Sequence, residues 1–239
     1  MQNARFILLI VTVLFVQAAA YSQSRQRWSF GPRAGLNLTN FVGKDATNPL
    51  LNVVDPDSRE NQLLPGLSAG VGFIYSDISR FGFAFDLLYA QRGTKSYTNL
   101  GSVGTTYTNR VNYLELPITA RYFLNRSGNF RPNVYAGVVP ALRLNAFSRE
   151  KGSDGKDVKT NVTEQYRSAD LGVTAGFQAN FRAGDRQRFT VDARYTHGIT
   201  NIAYNKTDLR NQMITIGLGY NFGIGREYQP GDRKLPIRP

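Results

Sequence analysis

Apolar and polar residues alternate along most of this chain. In the stretch YLELPITARYFL (113–124), apolar side chains occupy the even positions, while Glu115 and Arg121 occupy odd ones. Successive side chains of a β-strand point to opposite faces, so the stretch predicts a strand with one apolar face and one charged face. In a soluble protein the charged face would meet water, whereas in a membrane barrel it would face an enclosed lumen.

The same period of two occurs in eight stretches, and no amphipathic helical pattern competes with them. They cover residues 28–39, 64–75, 81–92, 111–124, 131–146, 167–182, 189–200 and 211–222. The connections 40–63, 93–110, 147–166 and 201–210 are long and polar, while 76–80, 125–130 and 183–188 are short. Outer-membrane barrels show this asymmetry, with tight periplasmic turns and longer external loops.

Aromatic residues on the apolar faces cluster toward the short connections. They are Trp28, Phe30, Tyr75, Phe81, Phe83, Tyr122, Phe181, Phe189, Tyr220 and Phe222. Aromatic rings favour the membrane–water interface, so they predict an interfacial belt. A soluble sandwich or a lipocalin-like barrel would explain the alternation but neither the belt nor the loop asymmetry. We therefore predict an all-β fold: an eight-stranded antiparallel transmembrane β-barrel with up-and-down meander topology, in the outer membrane.

The two ends of the chain differ from the part between them. Arg5, an apolar run at 6–16 and the small residues 18–20 have the order of a secretory signal peptide. We predict a signal peptide at 1–22, cleaved after Ala20 or Ser22, a barrel at 23–223 and a basic tail at 224–239. After residue 22, no stretch reaches the ~18 apolar residues of a membrane helix. With long connections following the first strand and every second strand after it, both termini are expected in the periplasm.

Composition restricts the partners. The formal net charge is +12, but the arginines are scattered rather than gathered into a nucleic-acid-binding stripe. We expect contacts with outer-membrane lipid and lipopolysaccharide, and with other envelope proteins, but no nucleic acid. The chain has no cysteine, which excludes a lipoprotein anchor and disulfides.

The predicted lumen holds charges of both signs, which are costly to enclose unless they are paired. An eight-stranded barrel is just wide enough for side chains to fill it. We predict an ion-pair network of nine residues: Arg33, Asp86, Arg92, Glu115, Arg121, Arg143, Asp170, Asp192 and Arg194. Counting residues up from the short turns predicts two layers, one with Asp86 and Arg121, and a higher one in which Arg143 joins Glu115 and Asp170. Inward glycines such as Gly137 and Gly176 leave a narrow pore as the alternative.

No catalytic, metal or cofactor site is expected. His197, the only histidine, falls on the lipid-facing side by parity and has no serine near it in sequence, although a lipid-modifying barrel enzyme would need such a pair. The segment EKGSDGKD (150–157) lacks the spacing of a calcium-binding loop. Pro117 and Pro140 each remove a backbone donor and are expected to mark a bulge or bend.

Several motifs together resemble a known family. They are YLELP (113–117) followed by ARYF (120–123), then ADLGV (169–173), ARYTHGITNI (193–202) and a closing GYNF (219–222). In this order they resemble the PorT-like outer-membrane β-barrel family of Bacteroidetes-type bacteria, over roughly residues 28–223. The resemblance implies the barrel fold and, through the member that gives the family its name, a link to protein secretion. The tail beyond 223 departs from the family pattern.

The sequence thus predicts an integral outer-membrane protein that is not an enzyme. Its structural or interaction role would be carried by the external loops or the periplasmic face. The alternatives are a porin-like pore for ions or small solutes, an accessory to protein secretion, and a lipid-modifying enzyme.

Overall fold

The chain forms one antiparallel sheet of eleven strands. The computed structural model describes residues 28–44, 59–76, 80–100, 103–125, 128–153, 155–184, 186–204 and 208–224. The strands are β1 (Trp28–Val42), β2 (Arg59–Gln62), β3 (Leu64–Ser76), β4 (Phe81–Leu100), β5 (Val103–Glu115), β6 (Ile118–Phe123), β7 (Asn133–Gly152), β8 (Asp157–Asn161), β9 (Ala169–Arg182), β10 (Gln187–Gly198) and β11 (Arg210–Ile224). The predicted signal peptide lies outside the described residues, and so does the predicted tail apart from Ile224.

The sheet closes on itself. Strand β1 pairs with β3 on one side and with β11 on the other, and the ring runs from β3 through β4, β5 with β6, β7, β9 and β10 to β11. The ring has eight members, because β5 and β6 together make one of them and because β2 and β8 pair only beyond the rim. The predicted eight-stranded antiparallel meander barrel is confirmed.

The two faces of the ring are the reverse of those in a soluble protein. On β1, Leu36 points outward and is 65% exposed, while its neighbour Asn37 points inward and is 1% exposed. Aromatic residues continue the outward face at the short-turn end, where Trp28 packs on Tyr75 with ring centroids 4.9 Å apart. An apolar exterior around a buried polar interior suits a barrel that is surrounded by lipid. Among the described residues, no helix is long and apolar enough to cross a membrane.

Three of the four long connections contain strands rather than polar loops alone. The β4–β5 hairpin stays paired up to Leu100 and Val103, β2 adds to its β4 side, and β8 folds back on the upper part of β7. Threonines and tyrosines at 94–108 favour extended backbone, and they continue ladders that the barrel has already started. Beyond the rim, β2, β4, β5, β7 and β8 therefore form an open five-stranded sheet.

The prolines do not cause the bulge that was expected of them. Pro117 separates β5 from β6, but β4 keeps the same register with both strands. Pro140 lies inside β7, and both prolines use their carbonyl oxygens as acceptors, from the N–H groups of Asp86 and Leu116. The register shift lies higher, where Asn112 pairs with Asn145 but Tyr113 pairs with Arg143.

Candidate functional site

The upper lumen is built around one arginine. The Arg92 guanidinium contacts Glu115 Oε1 at 2.7 Å and Asp170 Oδ2 at 3.0 Å, and all three side chains are only 1% exposed. Arg92 comes from β4, Glu115 from β5 and Asp170 from β9, so the group links strands that are up to three positions apart in the ring. One cation therefore neutralises two buried carboxylates, and further donors have to satisfy the remaining negative charge.

Neutral side chains supply those donors. Thr200 donates its hydroxyl to Asp170 Oδ1 at 2.6 Å, and Asn211 Nδ2 donates to Asp170 Oδ2 at 2.8 Å. Asn211 also donates to the Tyr113 hydroxyl at 3.3 Å, and the Tyr113 ring lies 5.2 Å from the Arg92 guanidinium carbon. The sequence pattern did not indicate Thr200, Asn211 and Tyr113 as members of the group, because they carry no charge. The alternation does place Tyr113 and Asn211 on the inward face.

An apolar cluster covers this ionic group at the long-connection end. It contains Phe41, Val111, Tyr113, Ala141, Ala146, Val162, Tyr166 and Ile202, with Leu209 packed against it. Val111, Ala146 and Ile202 are fully buried. The cluster combines strand residues with residues of the segments that follow β8 and β10, so these connections fold inward over the lumen.

A second ionic group lies lower in the barrel. Asp86 lies 3.8 Å from Arg33 and 4.0 Å from Arg194, and Arg194 lies 3.8 Å from Asp192. Tyr135 donates its hydroxyl to Asp192 at 2.6 Å. These side chains come from β1, β4, β7 and β10, so the group spans the lumen.

Arg121 lies in the lower layer, but its hydrogen bonds go to neutral side chains rather than to Asp86. It donates to Gln178 Oε1 at 2.5 Å and to Asn133 Oδ1 at 3.2 Å, and its guanidinium carbon lies 4.6 Å from the Tyr135 ring centroid. Asp86 takes Arg33 and Arg194 as its cationic neighbours instead. Asp86 and Arg121 therefore share the lower layer as expected, since both line the cavity beside the lower ionic group, but Arg121 is held by neutral partners instead of by Asp86.

The prediction that Arg143 joins Glu115 and Asp170 is wrong. Its guanidinium donates to the backbone carbonyls of Thr163 and Tyr166, whereas Glu115 and Asp170 share Arg92. The register shift puts Arg143 opposite Tyr113, above the level of Glu115. Arg143 thus holds the segment after β8 and does not complete the carboxylate group.

The error for Arg143 has a geometric cause. Barrel strands tilt by about 35–45° and are staggered, so equal residue counts from the turns do not mean equal heights. A long arginine side chain adds further reach across the lumen. Glu115 pairs across the ladder with Leu88, four residues below Arg92 on β4, yet Arg92 and Glu115 form the shortest lumen ion pair among the described residues.

The inward glycines are filled by neighbouring side chains. A Cβ at Gly72 would lie 2.2 Å from Asp86 Oδ1, and one at Gly176 would lie 2.5 Å from the Tyr135 hydroxyl oxygen. The cavity beside the lower ionic group measures about 20 Å³, while one water needs ~10–15 Å³. The glycines thus make room for arginine and tyrosine side chains rather than for a channel.

The short-turn mouth is wider and basic. A cavity of about 140 Å³ there is lined by Arg131, Arg182, Arg186 and Arg188, and it reaches Asn221. Asn221 in turn accepts a hydrogen bond from Arg33 at 2.6 Å, so the mouth ends at the lower ionic group. Burial and the nearby Arg188 lower the pKa of Arg131.

The described residues show no catalytic arrangement at His197. Its ring nitrogen lies 3.4 Å from the Tyr195 hydroxyl on the outward face, and the described contacts include no serine or carboxylate partner for it. No group of His, Cys, Asp and Glu in the described part of the chain has the geometry of a metal site. In the 150–157 segment, Asp157 pairs with Arg149 at 2.5 Å, and Asp154 lies outside the described residues.

The chain is similar to known proteins in sequence and in structure. Residues 17–204 match the sequence model of the family described as "Outer membrane protein beta-barrel domain". Among curated proteins, no sequence matches. Neisserial surface protein A is similar in structure, with 13% identity, a TM-score of 0.44, and coverage of 82% of this chain and 97% of that chain. Ail of Yersinia pestis is similar with 13% identity, a TM-score of 0.41, and coverage of 81% and 98%.

Proposed function

The chain belongs to the outer membrane protein beta-barrel domain family, and from that premise we propose that it is a closed, non-enzymatic barrel that presents an external sheet to other envelope components. It is an outer-membrane β-barrel protein. The lipid-facing band would contact outer-membrane lipid and lipopolysaccharide.

The closed lumen is the observation that carries the proposal. From the short-turn mouth upward, the passage meets the lower ionic group, then the Arg92 group, then the apolar cluster at Val111 and Ile202. Eight strands enclose too little space for a porin-sized channel even before these side chains fill it. The binding surface then has to lie outside the lumen, on connections that a rigid barrel holds in place.

Conductance in planar bilayers tests closure. Purified protein should insert without a stable open state, whereas a known porin in the same bilayers provides the positive control. A stable, ion-selective conductance that bulky substitutions at Gly137 or Gly176 abolish would instead establish a pore for ions or small solutes.

The orientation and the ends of the chain are part of the proposal. We infer that residues 1–22 are removed as a signal peptide, and that both mature termini, with the tail 224–239, lie in the periplasm. Mass spectrometry of the mature protein should show a start at residue 21 or 23. A peptide tag fused after Pro239 should resist proteases added to intact cells, while cleavage of that tag would reverse the orientation.

The PorT-like resemblance supports a secretion role as the second candidate. Its YLELP motif places Glu115 in the Arg92 group and its ADLGV motif places Asp170 there. The motif residues therefore help to close the lumen, and a closed barrel without a role in secretion would need the same residues. Deletion of the gene should leave exported cargo in the periplasm if the protein assists secretion, and should leave cargo export unchanged if it does not.

A further inference from the structure

The open sheet beyond the rim has two chemically different faces. On β4 and β5, one face continues the lipid-facing surface of the barrel, because the two strands keep a single register from Leu88 and Glu115 to Leu100 and Val103. On β7, the register shift beside Asn112 brings the odd-numbered residues above it to this face. The other face continues the lumen side. We call the first the outward basic face and define it by five cations: Lys95, Arg110, Arg149, Lys151 and Lys159.

The strand register places these five side chains together. Lys95 pairs with Thr108, Thr108 with Arg149, and Arg149 with Lys159, which makes one row across four strands. Arg110 lies in the row nearer the barrel, and Lys151 lies in the row farther from it. Lys159 lies 4.1 Å from the Phe147 ring centroid, which confirms that side chains of neighbouring rows share this face.

Charge is distributed unevenly between the two faces. On β4, β5, β7 and β8 beyond the rim, all five cations point outward, and Asp157 is the one carboxylate on that side. Glu150, which accepts a hydrogen bond from Tyr107 at 3.3 Å, points to the other face. Asp157 already neutralises Arg149, and the other cations repel one another, which destabilises the sheet slightly unless an anionic partner neutralises them.

A groove in this face supplies neutral hydrogen-bonding groups beside the cations. It encloses about 480 Å³ and is lined by Lys95, Tyr97, Thr106, Thr108, Arg149 and Lys151, with Gly152 and Ser153 at its end. Hydroxyl groups and cations in one groove suit a ligand that carries both phosphate and sugar oxygens.

We propose that the outward basic face binds the phosphate-bearing sugar headgroups of the outer-leaflet glycolipid, lipopolysaccharide. The face begins at Arg110, four residues above the lipid-facing Leu114, which is about 14 Å along the strand at ~3.4 Å per residue. That is the level at which headgroups replace acyl chains around a barrel. The inference rests on the proposed orientation, which puts the long connections outside the cell.

Titration of the purified barrel with lipopolysaccharide tests the proposal. A Lys95→Gln/Arg149→Gln/Lys151→Gln variant removes three charges from the face, and native mass spectrometry measures lipopolysaccharide bound per barrel. The apparent Kd should rise roughly tenfold or more, because each cation near an anionic lipid surface adds to the affinity. The matched control, Arg80→Gln/Arg186→Gln/Arg188→Gln, removes three charges at the short-turn end and should stay within about twofold of the original protein.

Two probes separate the source of the anion. Dephosphorylated lipopolysaccharide should bind as weakly to the original protein as intact lipopolysaccharide binds to the face variant, and inorganic pyrophosphate should bind more weakly than intact lipopolysaccharide. Four results would each overturn the proposal. They are an unchanged Kd in the face variant, an equal loss of affinity in the control variant, full binding of the dephosphorylated form, and pyrophosphate binding as tight as that of intact lipopolysaccharide.

Heat-modifiable migration shows that each variant is folded, and a single Lys95→Glu variant repeats the test if the triple variant is not. Conductance is measured separately, so an open lumen would contradict the closed-barrel function without changing this result.

Discussion

At the scale of single residues, Arg92 organises the lumen. It pairs with the carboxylates of Glu115 and Asp170, which lie on two other strands, and the uncharged partners Thr200 and Asn211 complete the hydrogen bonding of Asp170. Because the whole group is shielded from solvent, its members depend on one another far more than an exposed ion pair would.

Replacing Arg92 should therefore destabilise the barrel strongly. Arg92→Ala leaves Glu115 and Asp170 buried without a countercharge, and breaking a buried pair in this way costs ~3–5 kcal/mol. Urea unfolding of the refolded barrel in detergent, followed by heat-modifiable migration, measures the loss.

Two further variants identify the cause. Arg149→Ala breaks an exposed pair and should leave the free energy of unfolding nearly unchanged. Adding Glu115→Gln and Asp170→Asn to Arg92→Ala should recover part of the stability, because neutral amides need no countercharge. An Arg92→Ala variant as stable as Arg149→Ala would mean that water already screens the upper lumen.

At the scale of elements, the β7–β8 hairpin extends the barrel into solvent. All five residues of β8 are exposed, and the cross-strand pair of Arg149 with Asp157 is the ion pair described between its two strands. The hairpin therefore depends on its ladder and on a contact that salt and pH weaken.

The Asp157 carboxyl should report on that contact. The hydrogen bond from Arg149 holds the pKa of Asp157 below the ordinary value of 3.8. Because the folded pKa is depressed, the stabilising contribution is present above the ordinary pKa and is lost as the pH falls through the folded one. NMR titration of the Asp157 side-chain carbon should show the low pKa, and Arg149→Gln should raise it to the ordinary range. A pKa that Arg149→Gln leaves unchanged would show that the pair does not persist in solution.

At the scale of the whole molecule, we expect the aromatic belt to fix the depth of the barrel in the bilayer. Trp28, the only tryptophan, is 43% exposed at the short-turn end and contacts Tyr75 and Phe85. Aromatic rings of this kind settle at the headgroup level because one edge is polar and the rest is apolar.

Fluorescence quenching should locate Trp28 at that interface. In vesicles, lipids with quenchers near the headgroup should quench its emission more than lipids with quenchers near the chain ends. In a Trp28→Phe background, Ala34→Trp moves the indole six residues along β1, about 20 Å at ~3.4 Å per residue, and deep quenchers should then be the more effective. Equal quenching of both variants at all depths would mean that the outward face is not in lipid.

The sequence by itself determined the fold and the two faces of the barrel. Alternation of period two is a local property of extended backbone, so Leu36 outward and Asn37 inward could be read without knowing any partner strand. The order of the strands followed for the same reason, because short connections force chain neighbours to pair antiparallel. The PorT-like grouping and the secretion link remain predictions.

Only the tertiary structure decided which charges meet and which segments leave the barrel. Arg92, rather than Arg143, reaches Glu115 and Asp170 because strand tilt, stagger and a register shift set heights that no residue count contains. Likewise, residues that looked like polar loops became the upper parts of β4, β5 and β7, because a ladder already formed in the barrel lets weakly patterned strands continue beyond it. Alternation can be recognised within a single strand, whereas ion pairing across the lumen depends on the geometry of all eight strands.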